Sequence, residues 1–364
     1  MANLVLYRKY RPKTFSEIVG QEHVVQTLTN ALSSGCASHA YLFSGPRGSG
    51  KTTMARLLAK ALNCQNRKEG KAEPCNSCES CNEITEGRAI DLIEIDAASN
   101  RGIDEIRELR DGIRFVPTKT KYKVFIIDES HQLSKDAANA LLKTLEEPPS
   151  HAIFVLATTE IHKMIPTIVS RCQRFDFRKL TIPEIVKRLE FIASQEKAKI
   201  EKPALELIAL NSSGALRDAE GLLDQVLTFG ATTAEEIKDL LGMVDTSLIG
   251  QFVDFLCQKK GSEAIDFLNK LIEKGKDPQE FTKALITYLR QALILKINPE
   301  LNNPVLVGFT LEEQQKLRSQ IANWPEENMR LTLKLFLEAQ SQMKYSPITQ
   351  LPLELAIIES LQKS

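Results

Sequence analysis

The pattern of apolar and polar positions changes character near residue 178. Before it, short apolar runs alternate with amphipathic stretches. Tyr41-Leu42-Phe43, Val124-Phe125-Ile126-Ile127 and Ile153-Phe154-Val155-Leu156-Ala157 are continuous apolar runs, as expected for strands buried on both faces of a parallel sheet. Leu92-Ile93-Glu94-Ile95-Asp96 alternates and predicts a further strand, and Arg174-Phe175-Asp176-Phe177 reads as the last one. Between them, helical periodicity predicts helices over about 22–32, after residue 51 (Met54, Leu57, Leu58, Ala61 and Leu62 on one face), over about 103–115, and over 135–146. The last of these is stopped by Pro148-Pro149, and a short helix starts at Pro166. Strand–helix alternation across 40–178 predicts an α/β domain with helices on both faces of a parallel five-stranded sheet.

After Thr181 no strand is predicted. Helices broken at Pro203, Gly214 and Gly230 fill 181–242. Residues 243–364 are helical too, with breaks near Gly261, Gly275–Pro278, Asn298–Pro304 and Pro325. Phe281, Ala284, Leu285, Tyr288, Leu289, Ala292 and Leu293 form an i, i+3, i+4, i+7 stripe. The expected division is therefore 1–178, 179–242 and 243–364, the last without any chemistry and suited to assembly or packing. A chain of 364 residues is long enough for two or three domains.

The chemistry concentrates where the first buried strand meets its helix. Gly45-Pro46-Arg47-Gly48-Ser49-Gly50-Lys51-Thr52-Thr53 carries Gly-x-x-x-x-Gly-Lys-Thr, the phosphate-binding loop. The glycines let backbone N–H groups close on an anion. Lys51 can reach β- and γ-phosphates, the Thr52 hydroxyl can ligate Mg²⁺, and the helix N-terminus adds its field. Asp128-Glu129 ends the 124–127 strand, where open α/β sheets place their ligands. Asp128 is placed to hold Mg²⁺ and Glu129 to polarise an attacking water. A hydroxyl at the tip of the 153–157 strand, Thr158 or Thr159, either meets the γ-phosphate or caps its strand. Arg217 falls in the first turn of a helix, a poor place for a cation unless it is aimed at an anion. The basic Tyr7-Arg8-Lys9-Tyr10-Arg11-Pro12 segment is either a solvated tail or a lid over the base.

Of seven cysteines, Cys64, Cys75, Cys78 and Cys81 cluster within a polar stretch that could not build a core of its own. Four thiolates at this spacing can close a tetrahedral structural zinc site, with no open position for catalysis. An iron–sulfur cluster is the alternative, against which stand the ten-residue gap before Cys75 and the absence of a Cys-Pro step. Cys36, Cys172 and Cys257 read as ordinary thiols. Formal net charge is zero, so any nucleic-acid contact must come from local patches. No run approaches the ~18 apolar residues of a membrane span, and the N-terminal residues do not form an export signal.

Taken together, the 7–12 segment, Val19-Gly20-Gln21, the phosphate loop, the four cysteines, Asp128-Glu129, Leu142–Pro149, Ala157-Thr158-Thr159 and Ser170-Arg171-Cys172 closely resemble the gamma/tau family of bacterial DNA polymerase III clamp-loader ATPases, of the AAA+ class. The resemblance covers essentially the whole chain, most strongly residues 4–230. It implies an ATP- and Mg²⁺-dependent AAA+ domain with a zinc insertion, then a helical lid and a helical collar. It implies that Arg171 is an arginine finger reaching the neighbouring subunit's ATP. Arg217 would be the second sensor and Thr159, or Thr158, the first. Arg8, Arg11, Pro12 and Val19 would border the adenine. Implied partners are delta and delta-prime subunits, further gamma/tau copies in a pentameric ring, the beta sliding clamp and the backbone of primer–template DNA, in the bacterial cytoplasm. The longer tau form's polymerase- and helicase-binding segments have no counterpart here, so a gamma-like loader core is expected. No polymerase active site is visible. The alternatives are another AAA+ DNA-remodelling motor, such as a Holliday-junction helicase, and a non-hydrolysing structural subunit of the same loader.

Overall fold

A computed structural model of the chain describes residues 4–99, 112–113, 115–240, 245–298, 311–322 and 324–362. Most of the helix expected over 103–115 lies outside the described residues. The chain forms two compact units, residues 1–199 with 208–229, and residues 200–207 with 230–364.

The first unit opens with α1 (Leu6–Lys9) and α2 (Glu22–Ser33), followed by β1 (Ala40–Ser44), α3 (Lys51–Asn63), α4 (Glu79–Glu86), β2 (Leu92–Asp96), β3 (Lys123–Asp128), α5 (Lys135–Glu146), β4 (Ala152–Thr158), α6 (Pro166–Val169) and β5 (Gln173–Asp176). The five strands lie in the order β2-β3-β4-β1-β5, every neighbouring pair parallel. β1 and β4 are buried along their whole length, as their continuous apolar runs require, while β2 at the edge is half-exposed and alternates. Alternate side chains feed two cores. Tyr41, Phe43, Val124, Ile126 and Val155 pack with Val24 and Leu28 of α2 and Met54, Leu57 and Leu58 of α3. Leu42, Phe125, Ile127, Phe154 and Leu156 pack with Ala137, Leu141 and Leu145 of α5 and Ile168 of α6. This is a three-layer α/β domain.

The parallel register aligns the strand ends. Ser44 pairs with Thr158 and Asp96 with Asp128, so the loops after β1, β3 and β4 emerge on one edge. Helices α7 (Ile182–Gln195) and α9 (Leu216–Phe229) complete the unit, with α8 (Lys202–Asn211) between them in sequence. Thr181 and Glu184 form a capping box that starts α7. Pro203 stands at the expected break, between α7 and α8. It occupies the first turn of α8, where its missing N–H costs nothing.

In the second unit the described helices are α10 (Ala234–Leu240), α11 (Thr246–Cys257), α12 (Gly261–Glu273), α13 (Pro278–Ile297), α14 (Leu311–Ala322), α15 (Glu326–Met343) and α16 (Leu351–Gln362). Gly261 and Pro278 again begin helices. The predicted stripe on α13 is the core: Phe281, Leu285, Tyr288, Leu289 and Ala292 are buried with Phe252 and Phe336, and Ala284 and Leu293 pack at its margin.

Candidate functional site

The loop between β1 and α3 owes its shape to residues without side chains. At Gly45, φ is +152° and a Cβ would lie 2.4 Å from the Phe177 carbonyl oxygen. At Gly48, φ is +74° and a Cβ would lie 2.9 Å from the Cβ of Ala215, one residue before α9. Only glycine fits either position, and the second brings the start of α9 directly onto the loop. The Lys51 ammonium is buried and donates to the carbonyl oxygens of Gly45 and Pro46, each at 2.8 Å. Burial pushes its pKa below the ordinary lysine value, against the pull of Glu129 and Asp128.

The cleft above the loop has a volume of about 180 Å³. Its lining includes the loop residues Arg47 to Thr53 with Asp128, Glu129 and Arg217. It also includes the apolar Pro12, Ile18, Val19, Leu180 and Leu216, with Tyr7, Arg11 and Glu220. Thr52 Oγ1 donates to Asp128 Oδ2 at 2.7 Å, which puts a hydroxyl and a carboxylate where one hard cation can meet both. These oxygen donors fit Mg²⁺. Glu129 sits in a left-handed turn at the tip of β3, φ +47°, with its own N–H on Asp128 Oδ1. Thr159 donates to Glu129 Oε2 at 2.8 Å. Thr158 is fully buried, and its hydroxyl oxygen accepts from the Glu160 N–H and meets His131. Of the two threonines, Thr159 is therefore the one in contact with Glu129.

Arg217 stacks over the Tyr7 ring, its Cζ 4.8 Å from the centroid. Arg11, Pro12 and Val19 line the cleft, while Arg8 lines a neighbouring basic cavity. Arg171 is not among the cleft residues. Its guanidinium donates to Glu146 at 2.6 Å and to the Thr167 carbonyl at 2.8 Å.

Sequence reasoning gave no role of its own to Tyr7, which it read only within the 7–12 segment, nor to Glu220 and Arg188. Glu220 is buried one helical turn after Arg217, with Oε1 3.5 Å from Nε of Arg188. Burial raises its pKa to about 7, partly opposed by Arg188 and Arg11. Arg188 also donates to the Tyr10 carbonyl, which ties the N-terminal segment to α7 and α9. None of these carries a spacing signal, because they come from three distant stretches of sequence.

A separate cluster lies before β2. The sulfurs of Cys64, Cys75, Cys78 and Cys81 all lie within 4.8 Å of one another. Tetrahedral zinc–thiolate bonds set sulfurs about 3.8 Å apart, so the set fits zinc with little movement. Hydrogen bonds from Ser77, side chain and backbone, pull the Cys75 thiol down to about 5, while burial raises Cys64 and Cys81. A bound dication would offset that burial.

A phosphate loop on a parallel sheet, an acidic strand tip and an arginine-bearing helix over the loop define a nucleotide-binding P-loop protein of the AAA+ class. Family models agree along the chain: DNA polymerase III, delta subunit, matches residues 20–181; the clamp loader subunit ATPase lid domain matches 184–232; and DNA polymerase III subunits gamma and tau domain III matches 232–363. DNA polymerase III subunit tau of Bacillus subtilis is 44% identical over 100% of this chain and 64% of its own length. The Escherichia coli tau subunit is 37% identical over 99% of this chain and 56% of its own. DNA polymerase III subunit gamma of Buchnera aphidicola (Acyrthosiphon pisum) is 35% identical over 97% of each chain. The chain belongs to the DNA polymerase III gamma/tau family. It spans 56–64% of the length of the Bacillus and Escherichia tau relatives.

Proposed function

We propose that this chain is an ATP-hydrolysing motor subunit of a bacterial sliding-clamp loader. The observation that carries this reading is the convergence of Lys51, Thr52, Asp128, Glu129 and Arg217 on one cleft. The triphosphate lies along the loop, its charge met by backbone N–H groups, Lys51 and Arg217. Mg²⁺ held by Thr52 and Asp128 neutralises phosphate charge when bound. Glu129 polarises the attacking water, and Thr159 holds that carboxylate. Pro12, Ile18, Val19, Leu180 and Leu216 enclose the base. Arg171 does not line its own cleft and, released from Glu146, serves a neighbour's, which makes turnover depend on assembly.

In this reading residues 1–178 bind and hydrolyse, 179–242 sense occupancy through Arg217, and 243–364 join subunits in a ring with delta, delta-prime and further copies. The ATP-bound ring opens the beta clamp, primer–template DNA enters by backbone contacts, and hydrolysis releases the closed clamp. The cysteine module is a zinc staple. No helix among the described residues is long and apolar enough to cross a membrane, in keeping with work in the bacterial cytoplasm. The full set of loop lysine, threonine and paired acids favours hydrolysis over a purely structural subunit.

Nucleotide binding tests the reading first. The chain should bind ATP with a Mg²⁺ requirement, and Lys51→Ala should weaken binding about 100-fold in calorimetry, the scale of losing a charge-assisted phosphate contact. Equal affinity in the two proteins would contradict it.

A further inference from the structure

His131 follows the acidic strand tip and is almost wholly buried, its side chain 3% exposed. Two of its neighbours fix its ring. Nε2 lies 3.0 Å from the side-chain nitrogen of Gln132, a donor; where Nε2 accepts from it, Nδ1 is the nitrogen left to carry the ring proton. Nδ1 lies 3.0 Å from Thr158 Oγ1 and 3.5 Å from Glu129 Oε2. Glu160 Oε1, 3.4 Å from Nε2, is drawn away by Lys163, whose ammonium is 2.6 Å from its other oxygen. Thr158 is itself fixed by accepting the Glu160 N–H. Ser130, between Glu129 and His131, anchors this turn by donating to the Ala157 carbonyl on β4.

The consequence falls on one carboxylate. Oε2 of Glu129 takes the Thr159 hydroxyl at 2.8 Å and lies 3.5 Å from His131 Nδ1. Both contacts fall on the same oxygen of a carboxylate that lines the cleft. We propose that His131 is a positioning residue for Glu129, its Nδ1 set between Thr158 Oγ1 and the carboxylate so that the buried ring fixes the carboxylate's orientation toward the attacking water. This rests on the reading of Glu129 as the water-polarising group. His131 is not among the residues that line the cleft. It acts through Glu129, as an outer partner orients a catalytic group.

Atom-specific replacement tests it. An asparagine amide can occupy the place of Nδ1, whereas a glutamine amide reaches the place of Nε2. In the loader assembled from full chains, His131→Ala and His131→Gln should lower kcat roughly 10- to 100-fold, the cost of a catalytic group misplaced by about an ångström. Nucleotide affinity should stay within about twofold, and His131→Asn should restore most of the turnover. In a Glu129→Gln background, His131→Ala should cost nothing more. The inference is overturned if His131→Ala turns over like the parent, if asparagine rescues no better than glutamine, if affinity falls in step with kcat, or if the two losses add. A parent chain that binds ATP but never hydrolyses it in the assembly contradicts the proposed hydrolysis, and this inference with it.

Discussion

At the scale of single residues, the cleft separates what spacing can announce from what it cannot. Gly45 to Thr52 and Asp128-Glu129 were legible because each motif is contiguous and its chemistry dictates its order. Tyr7, Arg188 and Glu220 were not, because a lone residue acquires meaning only from neighbours that folding supplies. Glu220 makes the point measurable. Its pKa is about 7 in the folded protein against an ordinary 4.5, so the folded state holds its proton more tightly than the unfolded state. Its contribution to stability is complete below about pH 4.5 and is lost as pH rises through 7. With burial as the main cause, the change is at most about 3 kcal/mol. Thermal unfolding of the parent and of Glu220→Gln, compared at pH 5 and pH 8, should show the glutamine form gaining relative to the parent at the higher pH. Parallel pH curves would mean that Glu220 stays ionised in the fold.

At the scale of elements, apolar runs announced the strands reliably, since β1, β3 and β4 are buried on both faces and have no room for polar alternation. Helix breaks were legible too. Pro203 and Gly261 mark breaks between consecutive helices, and each lies in the first turn of the helix that follows, where a missing N–H costs nothing. The cysteine module is an element whose fold the apolar pattern could not show, since its lining is sulfur. Purified protein should carry about one zinc per chain, as four thiolates in a closed tetrahedral set require. Cys78→Ser should lose the metal and lower the melting temperature by about 5 °C or more. Iron in place of zinc in elemental analysis would overturn the assignment.

At the scale of the whole molecule, the proposed site is completed by a neighbouring subunit. Arg171 sits on Glu146 and the Thr167 carbonyl, away from the cleft. Sequence could mark this arginine through its Ser170-Arg171-Cys172 setting, but not where its proposed target, in another subunit, lies. Arg171→Ala should leave ATP affinity of the isolated chain unchanged while slowing turnover of the assembled ring on the order of 10³-fold, the usual worth of an arginine finger. A mutant ring with normal turnover would remove the role.

The cleft is proposed to drive a clamp-loading assembly. The direct measurement is steady-state ATP hydrolysis by the chain alone, then with delta and delta-prime subunits, then with the beta clamp and primed DNA added. Slow turnover alone and strong stimulation by the complete set is the expected result. Turnover that no combination of partners, clamp and DNA stimulates would contradict it.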